Sequence, residues 1–157
     1  MAFKHRPASV LITGGTGSVG KALVEAFATK GHRVTFQYRR ETSIAKRLEK
    51  RFRAESIQLD FEEEFLLPKV DFDVVINNAG INISDVVAHE VDITDWNRTL
   101  RVNLTAPFLI VRQCLPSMIG KQWGRIINIS SIYGLRAVEG NFPYTVSKHG
   151  LAGFTKT

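Results

Sequence analysis

Short apolar runs alternate along this chain with longer stretches in which apolar residues recur every three or four positions. The runs Ser9 to Thr13, Arg33 to Tyr38, Ser56 to Leu59, Val74 to Asn77 and Arg125 to Ile129 are β-branched or apolar and end at turn residues, which predicts five strands. Helical periodicity falls between them, at Val19 to Lys30, Ile44 to Phe52 and a long pair from Thr94 to Ile119, and a final helix begins near Pro143. Strand and helix in turn imply βαβ units. Runs as continuously apolar as Val74-Val-Ile76 and Ile126-Ile-Asn-Ile129 suit a parallel sheet covered on both faces. Right-handed crossovers then give a Rossmann-like, doubly wound α/β fold with its ligand crevice at the carboxyl ends of the strands.

A chain of 157 residues, 44% hydrophobic and 23% charged, predicts one domain over residues 1–157. No uninterrupted apolar run reaches the roughly 18 residues of a bilayer span, and the N-terminus lacks a signal-type apolar stretch, so the expectation is a cytoplasmic protein with no membrane partner. The single cysteine, Cys114, lies within the apolar pattern Phe108 to Leu115 and reads as a buried structural thiol. His5, His32, His89 and His149 have none of the spacings of a zinc site, so no metal is expected. The formal charge of +6 raises the question of nucleic acid. Much of it lies between Arg39 and Arg53, where Ile44, Leu48 and Phe52 recur at helical spacing, and this reads as a solvated amphipathic helix rather than a nucleic-acid surface.

Candidate chemistry begins at the first strand end. Gly14, Gly17 and Gly20 follow Val10 to Thr13 at three-residue intervals and lead into the helix of Lys21 to Ala28. Small residues there permit a tight turn and let a pyrophosphate approach the helix N-terminus, where unpaired N–H groups favour an anion. The second strand ends at Tyr38, Arg39 and Arg40, with no acid before Glu41. An acidic side chain at this position suits a ribose 2′-hydroxyl and cationic groups suit a 2′-phosphate, so NADP(H) is expected over NAD(H). Near the end of the chain, Tyr144 and Lys148 stand one helical turn apart, with Ser131 thirteen residues before the tyrosine. A free phenol titrates near ~10 and is a poor acid or base at neutral pH, but a neighbouring ammonium favours its phenolate.

The glycine turn, Asp60 after the third strand, Asn77-Asn-Ala-Gly80 after the fourth, Asn103, Ser131 and Tyr144-Thr-Val-Ser-Lys148 together resemble the short-chain dehydrogenase/reductase family, particularly its classical branch. Within it the chain looks most like reductases of 3-oxoacyl thioesters. The resemblance implies ketone and secondary-alcohol interconversion on a small-molecule substrate, with Tyr144 as acid/base, Ser131 hydrogen-bonding the substrate oxygen and Asn103 organising a relay behind Lys148. It also implies cofactor contacts from Gly14, Thr16, Gly17, Ser18, Val19 and Gly20, from Tyr38, Arg39 and Arg40, from Asp60, from Asn78, Ala79 and Gly80, and from Tyr144 and Lys148. Ser130 is the competing serine, and Tyr133, Asn141, Phe142 and Pro143 are candidates to face substrate. Trp96 and Trp123 read as packing residues.

Against the family pattern, Ser18 stands where classical members usually carry glycine, and the turn takes the Thr-Gly-x-x-Gly-x-x-Gly form of the extended branch. The Asp60 to Asn77 interval is about ten residues short, with Glu62 to Leu67 expected to supply only a stub of the third helix. Family members also continue beyond the lysine helix, so the resemblance implies a domain incomplete at its C-terminus, with later strands missing, and a homo-oligomer for a full-length form. Two alternatives stand beside the reductase reading: a nucleotide-binding or partner-binding half-domain without turnover, and an extended-type sugar-nucleotide epimerase or dehydratase.

Overall fold

The computed structural model describes residues 6–83, 85–136 and 139–157. Five strands form one wholly parallel sheet: β1 (Ser9–Ile12), β2 (Arg33–Tyr38), β3 (Glu55–Gln58), β4 (Val74–Asn77) and β5 (Arg125–Asn128), in the order β3-β2-β1-β4-β5. The helices are α1 (Ser18–Thr29), α2 (Thr42–Phe52), α3 (Ile93–Leu100), α4 (Ala106–Gly120) and α5 (Phe142–Lys156). The strand direction of growth reverses between β1 and β4, because β2 and β3 are added on one side and β4 and β5 on the other. This is the doubly wound α/β arrangement expected from the sequence, and the crevice at such a reversal lies beyond the carboxyl ends of β1 and β4.

Alternation along β1 divides the core. Val10 and Ile12 face one side with Val24, Phe36, Ala45, Leu48 and Ile76, beneath α1 and α2. Leu11 faces the other with Phe72, Val75, Val102, Ala106, Ile110, Cys114 and Met118, beneath α4. Successive side chains of a strand point to opposite faces, so near-continuous apolar strands are what a sheet covered on both sides requires. Phe36 and Phe72 are the largest side chains with no exposed surface.

Two expectations are corrected. Residues 62–67 form no helix: after a turn at 61–63 the backbone is irregular. Tertiary bonds hold it instead, with Glu62 gripped by Arg39 and Arg98 and the Leu67 amide donating to Gln113 Oε1 at 2.9 Å. The expected pair of helices between Thr94 and Ile119 is one continuous helical stretch, Ile93–Gly120, of 28 residues, joined through a π-helical segment at Arg101–Thr105. By length and composition alone that stretch is long and apolar enough to cross a bilayer, a test that the core helix of a soluble protein also passes. Its apolar stripe of Val102, Ala106, Ile110, Cys114 and Met118 is buried on the sheet.

Cys114 is a core residue, as expected, and burial pushes its thiol up to about 11. Alkylation requires the thiolate, so at neutral pH iodoacetamide will label the folded chain far more slowly than the urea-unfolded chain, measurable by intact mass. Truncating the central aromatic, Phe36→Ala, removes a fully buried ring between β2 and α1. A loss of about 3–5 kcal/mol in urea unfolding is expected.

Candidate active site

The carboxyl end of β1 runs into Thr13-Gly-Gly-Thr-Gly and then α1. Gly14 adopts a φ of +65°, a left-handed conformation that disfavours other residues. At Gly20 a side chain would collide with the Gly14 carbonyl, so absence of a Cβ lets the first turn of α1 close onto the loop. Gly17 precedes α1 without a side-chain cap, and no acidic residue occupies the first helical turn. The helix therefore presents uncapped amide groups and its positive end to whatever lies in front of it.

What lies in front is a cavity of about 540 Å³. Its lining includes the glycine loop, Lys21, Gln37, Arg39, Glu41, Asp60 and Asn78 to Ile81. The uncapped amides and the close-packed glycines could hold the pyrophosphate of a dinucleotide. Of the residues singled out from sequence, Gly14, Thr16, Gly17, Ser18, Val19, Gly20, Arg39, Asp60, Asn78, Ala79 and Gly80 all line this cavity. Tyr38 does not: its ring belongs to the core and its hydroxyl lies 3.5 Å from Gln58 Oε1. Arg40 is exposed outside the lining.

Thr13 ties the two loops of this cavity together. Its hydroxyl accepts from the amides of Asn78 at 3.0 Å and Ala79 at 2.9 Å, and Asn78 Nδ2 donates back to the Thr13 carbonyl at 2.9 Å. Gln37 likewise holds the glycine loop, accepting from the Gly14 amide at 2.9 Å. Neither Thr13 nor Gln37 was among the sequence candidates. A hydroxyl at the last position of an otherwise apolar strand was the available signal for Thr13, whereas nothing local distinguishes Gln37.

Beyond Gly80 the cavity approaches a second group of residues. A Cβ built on Gly80 would stand 3.4 Å from Asn103 Oδ1 and 3.5 Å from Lys148 Nζ, so all three pack together. Asn103 has no exposed surface; it accepts from the Ile81 amide at 2.8 Å and donates to the Ile81 carbonyl at 2.9 Å and to Ser147 Oγ at 3.0 Å. It sits within the π-helical segment, and such segments release backbone carbonyls from the regular helical ladder. Lys148 is 4% exposed, donates to the Ile129 carbonyl at 2.8 Å and has no carboxylate partner among the described residues. Burial pushes its ammonium below the ordinary lysine range.

Tyr144 is half-buried on α5, with Lys148 Nζ 5.6 Å from its ring centroid. The Tyr133 ring meets it edge-on at 5.8 Å, bringing the loop after β5 against the tyrosine. In that loop Ser131 accepts from the Tyr133 amide at 3.2 Å, which leaves its own hydroxyl hydrogen available to an incoming oxygen. Ser130 is engaged differently, donating to the Lys148 carbonyl at 3.3 Å. Asn141 enters α5 in a left-handed conformation at φ 49°, bonded to Asp85 Oδ1 at 2.7 Å and to Asn82. Phe142 stacks on Trp96 at 5.8 Å, so Trp96 packs against the entrance to α5.

Comparison with known proteins agrees with this geometry. Residues 8–157 match the family described as short chain dehydrogenase. A 3-oxoacyl-[acyl-carrier-protein] reductase of Aquifex aeolicus is 36% identical over 173 aligned positions, covering 100% of this chain and 68% of the relative. An acetoacetyl-CoA reductase of Cupriavidus necator is 34% identical, with 92% of this chain and 64% of the relative covered. Among solved structures, alternative dihydrofolate reductase 1 of Brucella canis, complexed with NADP, superposes with a TM-score of 0.87 at 25% identity, covering 94% of this chain and 65% of that one. The chain thus spans about two thirds of the length of the proteins it matches.

Thr13→Val keeps the shape of the side chain but removes the acceptor shared by two half-buried amides. It should cost about 1–3 kcal/mol in urea unfolding. Hydrogen exchange at Asn78 and Ala79 should accelerate more than exchange within β4.

Proposed function

The chain belongs to the short-chain dehydrogenase family, and we propose that it is an NADP(H)-dependent oxidoreductase interconverting a ketone and a secondary alcohol, with Tyr144 as the acid/base. The observation that supports this best is the contiguity of the two halves of the site. Gly80 lines the dinucleotide-sized cavity and also touches Lys148 and Asn103, beside the tyrosine.

A bound nicotinamide would supply or accept the hydride. This chain's residues handle the proton and the oxygen. In the reductive direction the Tyr144 hydroxyl transfers its proton to the substrate oxygen as that oxygen gains electron density, and in the oxidative direction it takes the proton back. Ser131, whose hydroxyl hydrogen is unclaimed among the described residues, donates to the same oxygen. Lys148 places a cation beside the phenol, where positive charge favours negative charge on the phenolic oxygen. Asn103 holds the Ile81 backbone and Ser147 in place, fixing the wall on which Lys148 rests.

The adenosine end of the cavity carries Arg39, which suits a 2′-phosphate, and a relative of known structure was solved with NADP. Glu41 lines the same end, 3.4 Å from Thr16 Oγ1, and it is the observation that favours NAD(H) as the second reading. The relatives that reduce 3-oxoacyl-carrier-protein and acetoacetyl-CoA make a 3-oxoacyl thioester the first substrate to try.

NADPH oxidation in the presence of acetoacetyl-CoA is expected with the purified chain. Tyr144→Phe should lower the turnover by at least about 100-fold while leaving NADPH affinity within about twofold. Cofactor binding without Tyr144-dependent turnover would instead identify a nucleotide-binding half-domain.

A further inference from the structure

Glu62, which lies outside the cavity lining, stands behind Arg39 and is shared by two arginines. Arg39 Nη1 lies 2.6 Å from Glu62 Oε1. Arg98, from α3, grips the same carboxylate as a fork, with Nε 2.9 Å from Oε2 and Nη2 3.1 Å from Oε1. The carboxylate is 22% exposed, Arg39 is 34% exposed and Arg98 is 40% exposed, so water only partly screens the trio. Hydrogen bonds from Arg98 hold the Glu62 carboxyl below the usual carboxylate range, against an opposing burial effect, and keep it ionised.

Arg98 Nη1 also lies 3.7 Å from Asp95 Oδ1, so Arg98 is tied to two carboxylates and Arg39 to one, and where the cationic donors remain open matters. The Arg98 fork takes both oxygens of Glu62, whereas Arg39 contributes only Nη1. Among the described residues, Nε and Nη2 of Arg39 make no other hydrogen bond, and Arg39 lines the cavity. The same end of the wall already carries the carboxylates of Glu41 and Asp60. If Glu62 were compensated by Arg39 alone, this end of the cavity would be more negative by one charge and less favourable to an anion. With Arg98 absorbing the Glu62 charge, Arg39 is both anchored and cationic.

We propose that Arg98, which does not line the cavity, determines cofactor specificity from behind it by neutralising Glu62 and so keeping Arg39 available to a 2′-phosphate. This rests on the NADP(H) reading above and adds to it a positioning residue on a different element. An exposed pair of this kind would usually be worth little. Here the bidentate fork and the shared oxygen place the whole effect on one cavity-lining cation.

The test is calorimetric titration of the chain with adenosine 2′,5′-bisphosphate and 5′-AMP, and with NADPH and NADH. Arg98→Met keeps the aliphatic stem of the side chain. It should weaken both 2′-phosphorylated ligands roughly tenfold, the scale of one charge-assisted hydrogen bond, and leave 5′-AMP and NADH unchanged. Adding Glu62→Gln to Arg98→Met should restore most of the lost affinity, because the uncompensated carboxylate is then gone. Equal weakening of all four ligands, or no recovery in the double variant, would show a purely structural role and overturn the inference. A wild-type chain that prefers 2′-phosphorylated ligands through Arg39, tested by Arg39→Ala, with Arg98→Met unchanged, sinks this inference alone. A wild-type chain indifferent to the 2′-phosphate sinks the NADP(H) reading as well.

Discussion

The join between β1 and β4 organises this molecule. These strands lie side by side in the sheet although about sixty residues separate them in sequence, and each ends in a loop that builds the candidate site. The Thr13 hydroxyl closes the join by accepting two amides of the β4 loop, and Asn78 returns a bond to the Thr13 carbonyl. The glycine loop and the Asn78 to Gly80 loop are thereby held as opposite walls of one cavity. A buried hydroxyl with both neighbouring amides satisfied is a stiff element, because any displacement leaves polar groups unpaired in a dry environment.

Polar groups deeper in the site are more exposed to cost. Asn103 has all its visible amide capacity committed to Ile81 and Ser147, and Lys148 is buried against a carbonyl without a counter-ion among the described residues. Burying a lysine in this way disfavours its charged form, a destabilising arrangement that packing alone would not produce. Perturbed groups of this kind cluster at functional sites, which supports the role proposed for Lys148. The Phe36 and Phe72 layers on the two faces of the sheet provide the burial that tolerates it.

Electrostatics at the opposite end of the cavity follow another logic. There the charges are partly buried or exposed, and several of them meet around Arg39. Arg39, Glu41, Asp60 and Lys21 line the wall, with Glu62 and Arg98 behind it. In the proposed reading, the balance of this group sets the preference for one phosphate more or less; a residue on α3 belongs to it because the irregular segment after Asp60 carries Glu62 between the two arginines. The missing third helix therefore has a consequence for the site: the chain that replaces it supplies the shared carboxylate.

Most of the sheet was legible because its strands are short β-branched or apolar runs bounded by turn residues, most continuously apolar at the buried centre, and all five ended within a residue of the observed strands. The glycine turn was equally plain, since positive φ at Gly14 and the contact at Gly20 leave few residue choices. The order of Ser131, Tyr144 and Lys148 carried the family, because their spacing is set by one loop and one helical turn. What the sequence could not express was direction and partnership. Tyr38 and Arg39 are neighbours, yet the pleat sends one ring into the core and the other side chain to the cavity. Ser130 and Ser131 are chemically identical, and only the fold decides that one bonds the Lys148 carbonyl while the other caps a turn. Thr13, Gln37, Glu62 and Arg98 act through groups 23 to 66 positions away in the chain, and no local pattern records a contact of that range. Local sequence determined the elements and the reactive residue types; tertiary packing decided which polar atoms meet, because hydrogen bonds and ion pairs depend on distances that only the closed sheet creates.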